Sequence, residues 1–488
     1  FMALYPNMWK FDLVRSFGRE GLLSGGWYGG YAMYQNNDDL RSYPWFMLFN
    51  RCNSYWWFSG YGGPIASHPS EGIAPDLRPL DCFKLTSKIV NRIQQGIDRL
   101  ILNSEPVNDK VAVFFSRPSV HGATIMPAIP TRDYNTDVLW SQFMTDPELK
   151  WALNIEANLR LLDDMGLSYI FVDRFDIAAG KLQKDNYSLL VMPFVHSMPA
   201  AEVKAVKKFV RAGGTVLADV RPGVFDGHLK LLKRGPLDEM FGIRRKGSAV
   251  TPLRDELIEM VTKGGAVSVA GGEAGAMLPE HVDYGPEKDG KEGKKTDTIP
   301  LPIDTTVSVM GGEAGAKTVS GSPIFISNKY GKGKACLMNM SIQHYLTLRA
   351  AARGAGLRNL VRNALVGANV IPDVQIQAAG DHSARVRVYR YDNQGDILVG
   401  LLRSHKRLLD ESEGFIDSKP RPFVINFGRE GHIYDVINRK HYGKKESLEL
   451  DIPLATAFLF AVLPYEVTGV IAESAQNART VTIAPTVQ

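Results

Sequence analysis

Residues 24 to 31, SGGWYGGY, set Trp27, Tyr28 and Tyr31 among four glycines, and NSYWWFSG, starting at Asn53, brings Tyr55, Trp56 and Trp57 together. Aromatic faces offer large contact area at little entropic cost, and glycine lets the backbone turn tightly beside them. The two segments therefore suit either a platform for a flat ligand or a packed loop. If Trp56 and Trp57 share a strand, their side chains leave opposite faces, so only one can join Trp27 in a common wall. Arg51 and Asn53 supply donors that either bond ligand hydroxyls or close a local structural pairing.

Other chemistries find little footing. Cys52, Cys82 and Cys336 are few, far apart and odd in number, which argues against a disulfide framework or a cysteine-built metal site and for buried free thiols. No group of His, Cys and Asp has metal-ligand spacing, so neither a metal nor another cofactor is expected. No G-x-G-x-x-G follows KVAVFFS, and no G-x-x-x-x-G-K-[ST] occurs. LLVMPFVHSMPAAE has no cysteine for an amidotransferase elbow, which leaves His196 as a surface or loop residue, and YGKGKA reads as a hairpin turn. The formal charge of +5 comes from 57 basic against 52 acidic residues among 488, without a basic stripe, so nucleic acid is not an expected partner. No apolar run reaches the roughly 18 residues of a membrane span. The chain opens on FMALYP, without an initiator methionine or signal pattern; it reads as a fragment of unknown compartment.

The elements that must position these residues fall into three parts. Over 1–105, strand-like FMALYP, helical KFDLVRSFGRE, strand-like GLLSG, a second helix and NSYWWFSG alternate as in parallel α/β structure. An amphipathic helix then spans 82–102, ended by Glu105-Pro106. Over 106–370, KVAVFFS, SYIFVD, YSLLVMPFV and GTVLADV are strands, and PAAEVKAVKKFVRAGG is a helix with proline in its first turn and glycines at its stop. The expected fold is α/β multidomain, with a flavodoxin-like doubly wound sheet here. A β-rich insertion near 246–345 carries a repeat, VSVAGGEAGA at 267–276 and VSVMGGEAGA at 307–316, whose Glu273 and Glu313 read as exposed charges. From 371 to 488 short alternating strands predict an antiparallel β-sandwich.

Residues 185 to 243 run from DNYSLLVMPFV through KKFVRAGGTVLADV to a final FGI. This pattern resembles the class I amidotransferase-like trimerisation domain of the family 42 glycoside hydrolases, the beta-galactosidases. The tail YDVINRKHYGKKESLELDIPLATAFLFAVLP is similar to that family's closing β domain. LYP, DLVRSFG and NSYWWFSG look like the last three βα units of its (β/α)8 TIM barrel. The resemblance implies a homotrimeric O-glycosyl hydrolase, here without most of its barrel, acting on oligosaccharides or polysaccharides. It also implies that Trp27, Tyr28, Tyr31, Trp56 and Trp57, with Arg51 and Asn53, line a sugar subsite at the strand ends. Retention needs two carboxyl groups about 5 to 5.5 Å apart. The family's acid/base comes from an earlier strand, before Phe1, and its nucleophile from the end of the next-to-last strand. That position holds Leu23, Ser24 and Gly25; Glu20 precedes it and Asp38 and Asp39 follow well after, so the catalytic residues stay unassigned. An unusual nucleophile, an inverting mechanism and a silent barrel remain open. So do a non-catalytic carbohydrate-binding or assembly protein and, as a third class, a nucleotide- or flavin-binding α/β protein.

Overall fold

The computed structural model describes residues 9–18, 22–28, 37–57, 72–74, 76–125, 151–246, 253–263, 266–269, 295–350, 354–366, 369–378, 386–403, 422–477 and 480–487. FMALYP, Tyr31 and Glu273 lie outside them.

Near the amino end, strands Gly25–Tyr28 and Ser54–Trp57 pair in parallel, joined through helix Asn37–Phe49. Helix Trp9–Phe17 and helix Asn37–Phe49 press on one face of this pair so closely that a Cβ on Gly26 would come within 2.6 Å of the Phe11 ring. The first strand is not GLLSG. Leu22 and Leu23 are exposed and unpaired as strand, and pairing begins at Gly25. The expected single helix over 82–102 is also broken, into Asp81–Arg92, a π-turn at Ile93–Ile97 and Asp98–Leu102, with Gly96 at φ 116° taking up the irregularity.

The central sheet has seven strands, in the order Glu313–Lys317, Pro323–Tyr330, Gly333–Met338, Thr215–Ala218, Leu189–Met192, Val111–Phe114, Tyr169–Val172. The last five are mutually parallel. Taken in chain order they run 2-1-3-4-5, the order of flavodoxin-type sheets. VAVF, LLVM and TVLA are buried throughout, as strands covered on both faces must be. Helix Ala200–Arg211 turns Val203, Val206, Phe209 and Val210 inward and stops at Gly213, φ 121°. YGKGKA is the hairpin turn between Pro323–Tyr330 and Gly333–Met338, with Gly331 at φ 65°.

The insertion is smaller than the sequence suggests, because residues from Glu313 to Met338 return to the central sheet. What stands apart is the pair Ile243–Arg245 with Val307–Val309, and a three-stranded sheet of Arg254–Lys263, Ala266–Val269 and Lys295–Ile303. The VSV of each repeat copy pairs differently. VSV of the first is the edge of the three-stranded sheet; VSV of the second pairs with Ile243–Arg245, and its Glu313, exposed, opens the central sheet's edge strand.

The carboxyl-terminal strands from Gln375 to Leu463 form one curled antiparallel sheet rather than the two sheets of a sandwich, and Val470–Asn477 and Thr480–Val487 pair with each other apart from it. Its order is Gln375–Ala378, Pro422–Asp435, Ala457–Leu463, Asp396–Arg403, Val386–Asn393, Glu105–Pro106, and Lys440–Asp451 pairs with Pro422–Asp435. PFVINFG and GHIYDVINRKHYG, two strands by sequence, divide elsewhere: PFVINFG and GHIYD make the single strand Pro422–Asp435, and KHYG opens Lys440–Asp451. The first half of Pro422–Asp435 bonds Gln375–Ala378 and its second half bonds Ala457–Leu463, with register shifts between Asn426 and Gly431 and between His432 and Tyr434. Bulges bend and twist a strand, which lets this sheet curl round Phe423, Ile425, Val399, Phe458 and Phe460. Its other face packs Tyr389, Tyr391, Leu398 and Leu459 against Tyr43, Phe46, Phe49 and Ile97 of the amino-terminal helices. A buried ion cluster ties all three parts: Arg387 on the sheet meets Asp12 of the first helix and Asp163 of helix Trp151–Asp164, where Arg160 also binds Asp163 and Glu156.

Candidate functional site

In a parallel strand pair the carboxyl ends lie together, and here those ends are Tyr28 and Trp57. Register places Trp27 opposite Trp56 and Tyr28 opposite Trp57, and successive residues of a strand leave opposite faces, so Trp56 is turned away from Tyr55 and Trp57. Tyr55 and Trp57 turn to the helices: the Tyr55 hydroxyl donates to the Pro44 carbonyl at 3.1 Å, and the Trp57 ring meets Phe83 edge-on at 5.2 Å. Trp56 points the other way and is 40% exposed. Of the adjacent tryptophans, Trp56 is therefore the one free to meet a ligand.

Arg51 and Asn53 do not join it. Asn53 accepts a bond from the Ser24 amide at 2.8 Å and donates to the Leu22 carbonyl at 2.9 Å. Arg51 donates to the carbonyls of Leu102 and Ser104 at the end of helix Asp98–Leu102. Both residues close structural pairings at the start of the strands, away from Tyr28 and Trp57. Ser24 belongs there too, its carbonyl accepting from the amides of Asn53 and Ser54, both at 3.0 Å. The strand end that follows from the pairing is Tyr28, four residues beyond the position assigned from GLLSG. Neither Gly25–Tyr28 nor Ser54–Trp57 carries a carboxylate, and nor does the following GGYAMYQN at 29–36. Asp38 stands near the start of helix Asn37–Phe49, 3.5 Å from Arg41.

The flavodoxin-type sheet offers a second place to look, the crevice between Val111–Phe114 and Leu189–Met192, where strand order reverses. Serines close it. Ser116 and Ser119 hydroxyls lie 2.8 Å apart, Ser116 donates to the Ser197 carbonyl at 3.0 Å, and the Ser197 amide donates to Ser119 at 2.9 Å. Beside it, Asp219 accepts from Asn154 at 3.0 Å and from the amide of Phe194 at 2.8 Å, while burial pushes its pKa up to about 8. His196 is a loop residue, as expected, and half-buried. It stacks on Phe194 at 4.0 Å, and burial, then Arg221, push its pKa down to about 3, so it is neutral. The serines thus bond one another and Asp219 bonds Asn154 and the Phe194 amide, while His196 Nε2 is buried without a hydrogen-bond partner among the described residues.

An open groove of about 1050 Å³ runs beside Ile243–Arg245, lined by Lys233, Arg234, Arg244, Arg245, Leu231 and Met310. Cys52 and Cys336 are buried free thiols pushed up to about 12 by burial. Among the described residues one group brings metal-binding atoms together, His432, His441 and Glu466. Sequence spacing gave no sign of it, because its members meet across a bulged strand pair.

Residues 173–370 match the family model of the beta-galactosidase trimerisation domain. No curated protein matches the chain. Among solved structures it is similar to the beta-galactosidase from Bacillus circulans sp. alkalophilus, at 14% identity and TM-score 0.60, over 93% of this chain and 57% of that one. A catalytic mutant of a GH42 beta-galactosidase from G. stearothermophilus is similar at 12% identity and TM-score 0.59, over 93% and 56%. The enzyme from Rahnella sp. R3 follows at 14% and 0.57, over 93% and 56%. At such identities the likeness is one of fold, and the chain spans little more than half the length of these proteins. The resemblance to the family 42 beta-galactosidases read from residues 185 to 243 is met on both counts.

Proposed function

We propose that this chain is the carboxyl-terminal part of a beta-galactosidase-like glycoside hydrolase acting on oligosaccharides or polysaccharides. The observation that carries the reading is a fold shared with beta-galactosidases over 93% of the chain, with the trimerisation-domain match inside it. On this reading residues 1–105 are the end of a (β/α)8 barrel, 106–370 a trimerisation-type domain, and 371–488 the closing β domain. Gly25–Tyr28 and Ser54–Trp57 are then the last two barrel strands. Their carboxyl ends face the substrate, as in barrels generally, and Trp27 and Trp56 form a wall on which a sugar's C–H face stacks. The protein assembles as a homotrimer through the middle domain.

A second reading, a carbohydrate-binding or assembly protein with a silent barrel, is favoured by one observation: no carboxylate stands on either strand or on 29–36 after the first. Assays of the full-length protein against a panel of β-galactosides separate the two. Turnover supports the hydrolase; binding without turnover supports the silent barrel; neither binding nor turnover refutes both. Light scattering that finds a monomer at all concentrations removes the trimer.

Trp56→Ala is expected to weaken oligosaccharide binding by about 1 to 3 kcal/mol, as loss of an aromatic stacking anchor does, with little change in Tm. Trp27→Ala is expected to act in the same direction. Trp57→Ala, which removes a ring packed on Phe83, is expected to lower Tm instead. Calorimetric titration beside thermal unfolding reads both, and unchanged affinity in Trp56→Ala refutes the wall.

A further inference from the structure

We propose that His432, His441 and Glu466 form a binding site for a divalent transition-metal cation, zinc foremost, on the curled carboxyl-terminal sheet. The sequence predicted no metal. The structure brings together two imidazoles nine positions apart and a carboxylate from beyond the next strand, with one ligand atom of each within 4.8 Å of the others.

The distances suit a shared ion. His432 Nδ1 and His441 Nε2 are 3.3 Å apart. Two nitrogens bound tetrahedrally to zinc at about 2.0–2.1 Å are separated by roughly 3.3–3.4 Å, so one ion fits between them without backbone movement. As a direct hydrogen bond, 3.3 Å is long, and the rings are stacked with only 25° between their planes. Glu466 Oε1 lies 3.9 Å from the other ring nitrogen of His441, Nδ1, on an exposed side chain that must swing toward His432 to join the two imidazoles on one ion. Two imidazoles and a carboxylate are a zinc donor set, and water completes the fourth position.

The surroundings hold these groups in place. Tyr434 is the strand partner of His441, and its ring stacks on the imidazole at 4.3 Å, with 7° between planes. Its hydroxyl accepts the amide of Val467 at 2.8 Å. One side chain thereby positions His441 and the backbone next to Glu466. On the other side of Glu466, the Tyr465 hydroxyl donates to Asp396 at 2.8 Å. Lys444, opposite His432 in register, is engaged by Glu430 at 2.9 Å. Glu466 lies just before the hairpin of Val470–Asn477 and Thr480–Val487. A bound ion would fasten the entry to that hairpin onto the sheet, independently of any glycosidase activity.

The test uses untagged full-length protein stripped with a chelator, then titrated with Zn²⁺ by calorimetry and with Co²⁺ by visible absorption. The expected result is one tight zinc per chain and a tetrahedral cobalt spectrum, both lost in His432→Ala/His441→Ala and kept in His228→Ala, which removes an exposed histidine elsewhere. If the double variant does not fold, Glu466→Gln carries the test, with an affinity loss of about tenfold or more expected by analogy with ligand-shell changes. Wild-type protein that binds no zinc, or variants that bind it as the wild type does, overturn the proposal.

Discussion

Replacing Arg387 by methionine keeps most of the side chain's bulk and removes the charge that joins three parts of the molecule. The guanidinium bonds Asp12, reaches Asp163 at 3.3 Å and lies over the Tyr389 ring at 4.8 Å. Breaking a buried ion pair from one side costs about 3–5 kcal/mol, because the remaining charge stays buried without its partner. Both carboxylates here keep another cation: Asp12 has Arg15 at 3.2 Å, and Asp163 has Arg160 at 3.0 Å. The loss is therefore expected at the lower end, about 3 kcal/mol. Burial already holds the Asp163 pKa above the ordinary carboxylate value against the pull of Arg387 and Arg160. Removing Arg387 raises it further. A carboxyl raised in the folded state stabilises that state at pH below its unfolded value, and loses this contribution as pH climbs through the folded one. The deficit of Arg387→Met should accordingly shrink from pH 8 toward pH 5. Urea unfolding at both pH values, followed by tryptophan fluorescence and far-ultraviolet dichroism, measures it. A loss under about 1 kcal/mol at pH 8, or a deficit that grows on acidification, refutes the reasoning, since a solvated pair of little net worth behaves that way.

Glu202, buried in the first turn of helix Ala200–Arg211, has its pKa raised from 4.5 to about 7 by burial, against the pull of Arg174. Its contribution to stability is present below pH 4.5 and lost as pH rises through 7. Relative to Glu202→Gln, the wild type should therefore lose up to about 3 kcal/mol between pH 4.5 and 8, at about 1.4 kcal/mol per pH unit; parallel urea midpoints in the two proteins would sink this. Ser119→Ala strips the acceptor from the buried Ser197 amide and should cost about 1–3 kcal/mol. Hydrogen exchange at that amide should quicken, and unaltered protection would mean that the crevice is closed by packing alone.

The parallel strands were legible because VAVF, LLVM and TVLA are short, wholly apolar runs bounded by turn residues, a pattern that burial on both faces imposes. The carboxyl-terminal strands showed themselves by alternation. Whether they form one sheet or two was not legible, since alternation reports which face is buried and says nothing of hydrogen bonds carried past a bulge. GLLSG misled because leucines usually mark a strand, yet Leu22 and Leu23 are exposed and the pairing starts among glycines. The two VSV copies of the repeat show the same limit, one sequence serving different sheets according to its neighbours. At the candidate site, the choice between Trp56 and Trp57 needed the helices that cover one face, although their opposition followed from strand geometry alone. Arg51 and Asn53 offered donors without saying to whom. The histidine pair needed the register of a bulged hairpin, which no spacing rule contains.

The face of helix Asn37–Phe49 that carries Tyr43, Phe46 and Phe49 is covered by the carboxyl-terminal sheet, and the Tyr391 hydroxyl that reaches the Phe49 carbonyl lies 342 residues further along. During synthesis at about 5–20 residues per second, that helix emerges roughly 17 to 70 seconds before its cover exists. Until then a broad aromatic surface stands open to water and to neighbouring nascent chains. Production in a host that elongates fast and is poor in chaperones should thus lose this protein to aggregates formed through that helix, although the finished fold leaves no trace of the hazard.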